Sequence, residues 1–153
     1  MPQMSLHSPV GDLSVSAEND MIVALDWGWG RDQTPTPLLK DALKQLNAYF
    51  DGKLKAFNLP LDPAGTAFEK RVWGEMCKIP LGEVLRYGDV AKKLKSAARA
   101  VGTACGRNPI PIIIPCHRIV AASGLGGYSG AGAAETKVAL LRLEGADYIR
   151  RLL

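Results

Sequence analysis

The chain has 153 residues, enough for one domain or for a small lobe beside a main domain with its own hydrophobic core. Hydrophobic residues make up 47% and charged residues 22%, which is ordinary for a soluble globular protein. No apolar run is long enough to span a bilayer, and Met1-Pro2-Gln3 lacks the basic and apolar regions of a signal peptide. We therefore expect a cytoplasmic protein without a membrane partner.

Cysteine and histidine usage argues against disulfides and against a metal site. The three cysteines, Cys77, Cys105 and Cys116, are odd in number and lack framework spacing, so we expect reduced thiols. The sequence has no Cys-x-x-Cys pair, and His7 and His117 are its only imidazoles. We therefore expect no bound metal.

Charge is distributed unevenly along the chain, although the net charge is only +4. Residues 1–67 carry five Lys/Arg and eight Asp/Glu, whereas residues 68–107 carry nine Lys/Arg and four Asp/Glu. Residues 108–153 carry five Lys/Arg and three Asp/Glu. A basic segment behind an acidic front half is typical of a polyanion-binding surface, and a solvated basic face is the alternative.

In chain order, the first elements predict a small α/β lobe over residues 1–60. Leu13 and Val15 alternate with polar residues, as in a half-buried strand, and residues 21–25 form a returning strand after a turn. A helical apolar stripe follows, made of Leu39, Leu43, Leu46 and Phe50. No residue of this lobe is predicted to take part in catalysis or ligand binding.

Residues 61–153 are predicted to form a mostly helical domain. Thr66 and Glu69 make a capping box at the start of its first helix. A short amphipathic helix comes later, and Ser96 is the predicted N-cap of the next helix, residues 97–105. Two short helices joined by a brief turn predict a helix-turn-helix.

The second helix of this predicted motif has an unusual surface. Ala98 and Gly102 lie one turn apart and leave the surface almost bare beside the long basic side chain of Arg99. Small side chains allow a backbone to approach closely, and a single Arg in a groove can act as a wedge or a stacking group. The pattern favours nucleic-acid binding, with simple helix packing as the alternative.

A proline-rich apolar run, residues 108–115, leads directly to Cys116 and His117. Because proline cannot donate ladder hydrogen bonds, we expect an irregular edge strand or a rigid loop. The prolines are Pro109, Pro111 and Pro115. A segment with so little freedom is typical of the presentation of a reactive thiol.

A thiol reacts as the thiolate, so Cys116 needs a base. In an extended chain the adjacent His117 would point to the opposite face, so we expect it to act through a bend or a bridging water. Glu144 ends a predicted apolar helix over residues 137–143, where a carboxylate opposes the helix dipole, and is the candidate partner for His117. A structural thiol with a core histidine is the alternative. The glycines of residues 124–130 would let backbone amides approach a planar ligand.

Together these residues resemble the O6-alkylguanine-DNA alkyltransferases, also called methylated-DNA–protein-cysteine methyltransferases. The most specific match is Pro115-Cys116-His117-Arg118. Further matches are Tyr87-Gly88-Asp89-Val90-Ala91, Ala97-Ala98-Arg99-Ala100-Val101-Gly102, Asn108 to Val120, Gly127-Tyr128-Ser129-Gly130, and Lys137 with Leu140-Leu141 and Glu144-Gly145. The resemblance implies an α+β fold. A ribonuclease-H-like α/β lobe would form residues 1–60, and a DNA-binding domain with the helix-turn-helix and the active-site cysteine would form residues 61–153.

The resemblance implies repair of duplex DNA that contains O6-alkylguanine, with O4-alkylthymine as a further candidate lesion. The helix-turn-helix would bind in the minor groove, and the base would be flipped out because a stacked base cannot present its alkyl carbon to a thiolate. Cys116 would accept the alkyl group irreversibly, so each molecule would act once. No cofactor is implied, and we expect a monomer.

The resemblance also implies roles for residues near the acceptor. His117 and Glu144 would form a water-linked relay that produces the thiolate. Asn108 would be the hinge between the recognition helix and the cysteine. Tyr87 would protonate guanine N3 as the leaving group develops charge.

Other matched residues would contact the DNA or the flipped base. Arg99 would fill the vacated place in the base stack, on a helix where Ala98 and Gly102 permit close approach. The groups that would cover or read the base are Tyr128, Ser129 and the carbonyl oxygens of Cys116 and Ile119.

Two alternatives from other classes remain. A non-catalytic lesion-binding relative would lack the acceptor thiol, and Cys116 argues against it. A helix-turn-helix regulator with a structural Cys116 would bind a specific duplex sequence without covalent transfer. That regulator leaves the combination of Cys116, His117 and Glu144 unexplained.

Overall fold

The chain folds into two compact units, residues 1–64 and a second unit that begins at Gly65. The computed structural model describes residues 1–127 and 134–148. Two residues predicted to cover the base, Tyr128 and Ser129, lie outside the described residues.

The first unit is an antiparallel sheet with one helix. Strands β1 (Gln3–Leu6), β2 (Leu13–Glu18) and β3 (Met21–Trp27) pair in that order, and α1 (Pro37–Phe50) packs on β1 and β2. The buried side chains include Leu13, Val15, Leu25, Leu39, Leu46 and Phe50. The small α/β lobe is as predicted, with β1 as an additional strand.

The end of this unit is tied to the sheet. The N–H of Ile22 donates to the carbonyl of Pro60 at 2.8 Å, and the N–H of Asp62 donates to the carbonyl of Ile22 at 2.8 Å. Residues 60–62 therefore extend the hydrogen bonding of β3 before the chain enters the second unit.

The second unit is mostly helical, as predicted. Its helices are α2 (Ala67–Cys77), α3 (Tyr87–Leu94), α4 (Ala98–Gly106) and α5 (Ala134–Leu143). The predicted capping box at the start of α2 is confirmed: the side chain of Thr66 accepts from the N–H of Glu69, and the Glu69 carboxylate accepts from the N–H of Thr66.

Helices α3 and α4 form the predicted helix-turn-helix, but the predicted Ser96 cap is wrong. α3 ends at Leu94, its C-cap Lys95 has a φ of +54°, and the N–H of Ser96 then donates to the carbonyl of Ala91 at 2.9 Å. Ser96 therefore completes the end of α3, and Ala97 is the N-cap of α4 without a side-chain bond. The indole N–H of Trp73 fixes α4 to α2 by donating to the carbonyl of Ala104 at 2.9 Å.

A short parallel strand pair links the helix-turn-helix to the segment that carries the reactive cysteine. Strand β4 (Leu85–Arg86), just before α3, pairs with β5 (Ile119–Val120), just after Cys116. The pairing brings Tyr87, the first residue of α3, close to the segment that follows the cysteine.

Candidate active site

Residues 108–115 form tight turns that are closed by one buried side chain. The side-chain N–H of Asn108 donates to the carbonyl of Ile114, and its side-chain oxygen accepts from the N–H of Ile110, both at 2.9 Å. Ile112 has a φ of +73°, which a β-branched residue adopts only at a cost in free energy. Of the two structures that the prolines allowed, the rigid loop is the one observed.

Cys116 begins a 3-10 turn, Cys116–Arg118, so the chain bends here, which is one of the two arrangements that we expected for His117. The turn forms because the N–H of Cys116 donates to the carbonyl of Ile114 at 2.8 Å and the N–H of Arg118 donates to that of Pro115 at 3.0 Å. The thiol is buried, and burial raises the pKa of Cys116, while the Asn108 amide acts in the opposite direction. The thiol therefore needs a base before it can react.

His117 and Glu144 are in direct contact. The His117 Nε2 and a Glu144 carboxylate oxygen are 2.5 Å apart, and both side chains are fully buried. Burial lowers the pKa of His117, so the ring is neutral at pH 7. Because the carboxylate only accepts, Nε2 carries the proton, and Nδ1 has a free lone pair with no hydrogen-bond partner among the described residues.

Arg118 is a part of the site that we did not predict. Its Nε donates to one Glu144 oxygen at 2.9 Å, its Nη2 to the other at 3.2 Å, and its Nη1 to the carbonyl of Ile79 at 2.6 Å. Burial would raise the pKa of Glu144, but His117 and Arg118 outweigh it and lower that pKa to about 2. Glu144 is therefore a carboxylate at any physiological pH.

Tyr87 is half-buried next to the glycine-rich loop. A Cβ added at Gly126 would lie 2.8 Å from its hydroxyl, and one added at Gly102 would lie 3.9 Å from its ring. Burial is the main cause that raises the pKa of Tyr87, and the Gly127 N–H, which donates to its oxygen, acts in the opposite direction. The hydroxyl stays protonated at neutral pH and can donate a hydrogen bond.

Lys137 is fully buried, and we had assigned no role to it. Its ammonium donates to the carbonyl of Ile119 at 2.7 Å and to that of Gly127 at 3.0 Å. Burial is the main cause that lowers the pKa of Lys137 to about 8. The sequence signal was its place on the apolar face of α5, one turn before Leu140 and Leu141.

The outer face of α4 is bare, as the sequence suggested. Ala98 and Arg99 are exposed and Gly102 is half-buried. The Arg99 guanidinium makes no ion pair within residues 1–127 and 134–148. Ala98 and Arg99 are therefore accessible on this face, whereas a Cβ at Gly102 would contact the Tyr87 ring of α3.

Neither a metal cluster nor a membrane span is found in the part of the chain that the structure describes. Residues 1–127 and 134–148 contain no group of three or more His, Cys, Asp or Glu side chains placed to hold a metal ion. No helix within the same ranges has the length and apolar character to cross a membrane.

Comparison with protein families finds two matches that together cover most of the chain. The model described as "6-O-methylguanine DNA methyltransferase, DNA binding domain" matches residues 67–146. The model described as "6-O-methylguanine DNA methyltransferase, ribonuclease-like domain" matches residues 3–63.

Similar proteins agree with these matches. A methylated-DNA–protein-cysteine methyltransferase of Methanosarcina acetivorans is 39% identical over 150 residues, 91% of this chain and 95% of that protein. One of Mycobacterium tuberculosis is 43% identical over 92% of this chain and 90% of that protein. The crystal structure of Mycobacterium tuberculosis OGT in complex with DNA has a TM-score of 0.85 and 39% identity, covering 95% of this chain and 93% of that one. The family predicted from the motifs is thus confirmed, and the chain belongs to the 6-O-methylguanine DNA methyltransferases.

Proposed function

We propose that this protein repairs DNA by direct reversal, transferring the alkyl group of O6-alkylguanine in duplex DNA to Cys116. The observation that carries the proposal is the buried Cys116 followed directly by a neutral His117, which has a free Nδ1 lone pair and a carboxylate partner. Family membership supports the same reaction, since relatives are named methylated-DNA–protein-cysteine methyltransferases. A non-catalytic DNA-binding protein would have no use for this arrangement.

The first chemical step is formation of the thiolate. The Cys116 proton passes through a bridging water to Nδ1 of His117, and the Nε2–H bond to Glu144 stabilises the resulting imidazolium. Arg118 keeps Glu144 ionised for this purpose. All three side chains that take part in removing the thiol proton, His117, Glu144 and Arg118, are buried.

The second step is displacement at the alkyl carbon. The Cys116 sulfur forms a bond to this carbon while the bond from the carbon to guanine O6 breaks, and the electron pair stays on the guanine. Tyr87 donates its proton to guanine N3 as this negative charge develops. The product thioether has no chemistry that regenerates the thiol, so one molecule acts once.

The base reaches the thiol by flipping out of the duplex, because inside the stack its O6 substituent is not accessible. Arg99 fills the vacated place, and Ala98 and Gly102 let α4 approach the minor groove closely. The carbonyl of Ile119 would accept from the guanine amino group, and Tyr128 and Ser129 would cover the base. Asn108 would couple α4 to the cysteine through the turns that it closes.

The bond changes of this reaction need no cofactor and no metal, so we expect neither. We expect a monomer that works in the cytoplasm.

Reaction stoichiometry tests the proposal. When the protein is mixed with an excess of duplex that contains O6-methylguanine, we expect unmodified guanine to appear until one lesion has been repaired per protein molecule, after which the reaction stops. Nucleoside analysis of the digested DNA measures both bases. Continued turnover, or loss of the base from the strand, would contradict the proposal.

A further inference from the structure

Among residues 1–127 and 134–148, the buried cation Lys137 has no anionic partner. Its side chain is fully buried, and within residues 1–127 and 134–148 its ammonium bonds only to the carbonyl oxygens of Ile119 and Gly127. A buried ammonium that is paired only with neutral dipoles lowers the stability of the fold. Such a group is more often retained for function than for stability.

The two carbonyl groups belong to two different segments of the chain, which the ammonium joins. Ile119 lies in β5, three residues after Cys116, and Gly127 ends the described part of the glycine-rich loop. The N–H of Gly127 in turn donates to the Tyr87 hydroxyl. The ammonium of Lys137 also lies 6.0 Å from the centroid of the Tyr87 ring. One lysine thus connects the strand after the cysteine, the loop and the proposed proton donor.

Within the part of the chain that the structure describes, Lys137 is also a cation available to the thiol. Arg118 is committed to Glu144 by two hydrogen bonds, and burial keeps His117 neutral. The positive charge of Lys137 favours the charged form of Cys116. The titratable groups that face Lys137 are Tyr87 from α3, Cys105 from α4, and Cys116 and His117 from the 3-10 turn.

We propose that Lys137 is a positioning residue for alkyl transfer, whose ammonium holds the Ile119 carbonyl and the Gly127 peptide together and provides the positive charge against which the Cys116 thiolate forms. The inference rests on the proposed function for the identity of the reaction. Its electrostatic part concerns the thiol alone and can be measured without DNA.

The test compares two substitutions of Lys137 with a control on the same helix. Lys137→Met removes the charge and the donors, whereas Lys137→Gln removes the charge but keeps two donors. Arg142→Met removes a charge from an exposed position of α5. Thiolate formation is followed by ultraviolet absorbance against pH, and the contribution of Cys116 is obtained by difference from Cys116→Ser.

We expect both Lys137 variants to move the Cys116 titration upward by about one pH unit, roughly tenfold less thiolate at a given pH. Methyl transfer should slow by a similar factor both on duplex and on free O6-methylguanine base, while duplex affinity stays unchanged. Arg142→Met should change none of these. An unchanged Cys116 titration in Lys137→Gln would overturn the electrostatic role, and an unchanged transfer rate in Lys137→Met would overturn the positioning role.

A reciprocal measurement does not depend on folding of the Lys137 variants. Because coupling between two charges is mutual, Cys116→Ser should lower the pKa of Lys137 from its value of about 8, as followed by NMR of the lysine ammonium. No change in that pKa would also overturn the inference. If the Cys116 titration responds to Lys137 but the natural protein accepts no methyl group, the proposed function fails and the electrostatic coupling stands.

Discussion

At the scale of single residues, the site depends on which nitrogen of His117 carries the proton. Glu144 accepts from His117 Nε2 and from the Arg118 guanidinium, so both of its oxygens are engaged by donors. This arrangement fixes the tautomer in which Nδ1 is free to accept. The charge of Arg118 thus acts on Cys116 only indirectly, through Glu144 and His117.

Substitution of Glu144 by glutamine tests this tautomer. In Glu144→Gln the shorter Arg118 bond, from Nε, holds the amide oxygen at its position, so the amide nitrogen takes the position that faces His117 and favours the tautomer with a proton on Nδ1. We expect methyl transfer to slow by about 10²-fold or more, since the general base is lost. Single-turnover kinetics measure the rate, and Glu135→Gln, an exposed change on α5, is the control. A rate like that of the unsubstituted protein would contradict the assignment.

At the scale of elements, the site is assembled by short irregular segments rather than by long helices. The turns of residues 108–115, the 3-10 turn at Cys116–Arg118 and the two-residue strands β4 and β5 place the reactive groups. Each segment depends on buried hydrogen bonds, such as the two made by Asn108. Small backbone changes here should therefore affect transfer more than similar changes elsewhere.

The glycine-rich loop offers a matched pair of substitutions. Gly126 has a φ of +77°, and an added Cβ would lie 2.8 Å from the Tyr87 hydroxyl, whereas a Cβ at Gly124 would meet nothing within 4 Å. We expect Gly126→Ala to slow methyl transfer by about tenfold to a hundredfold by displacing Tyr87, and Gly124→Ala to have little effect. Equal rates for the two variants in single-turnover assays would show that Tyr87 placement is not limiting.

Predictability from sequence differed between elements for physical reasons. The capping box of Thr66 and Glu69 and the apolar stripe of α1 are local signals, and both elements formed as predicted. The partnership of His117 and Glu144 also followed from local reasoning, because a carboxylate at a helix C-terminus is unfavourable without a partner. The contact is present, and the catalytic role that we assign to it remains a prediction.

Other features of the fold and of the site depend on contacts between distant segments, so local sequence signals did not predict them. The two-residue strands β4 and β5 form only because distant segments meet, and no periodicity can show this. Lysine and arginine are rarely buried, so sequence reasoning assigned no role in the site to Lys137 or Arg118, although both lie in the matched motifs. The turn at Cys116 arises from backbone hydrogen bonds to the carbonyls of Ile114 and Pro115, and no local sequence pattern shows these bonds.

At the scale of the whole molecule, the basic segment of the chain and the proposed active site both belong to the second unit. Residues 68–107 have nine Lys/Arg against four Asp/Glu and include the helix-turn-helix, whereas residues 1–67 are net acidic. All described residues of the proposed site, from Tyr87 to Glu144, belong to the second unit. The basic segment is therefore where the proposed DNA contact requires it.

Global stability should decrease in acid because of the same buried groups. The pKa of Glu144 is lowered from 4.5 to about 2 in the folded protein, so the unfolded chain takes up this proton first as the pH falls. The stabilisation, about 3 kcal/mol, is present above the unfolded pKa and is lost between about pH 5 and pH 2. His117 acts in the same sense, because burial lowers its pKa below 6.5.

Urea unfolding followed by circular dichroism measures this dependence. We expect the free energy of unfolding to fall steadily from about pH 7 to about pH 3, and the lower part of this fall to be smaller in Glu144→Gln. A flat profile over this range would contradict the charge states assigned to His117 and Glu144.

The central claim is that Cys116 is the alkyl acceptor, and peptide mapping tests it most directly. The protein is incubated with a duplex that carries one O6-methylguanine, digested, and analysed by mass spectrometry for an added methyl group on each of the peptides that contain Cys77, Cys105 and Cys116. We predict one methyl group on the Cys116 peptide and none on the others, and no transfer by Cys116→Ala. A methyl group on another residue, or transfer that persists in Cys116→Ala, would contradict the account.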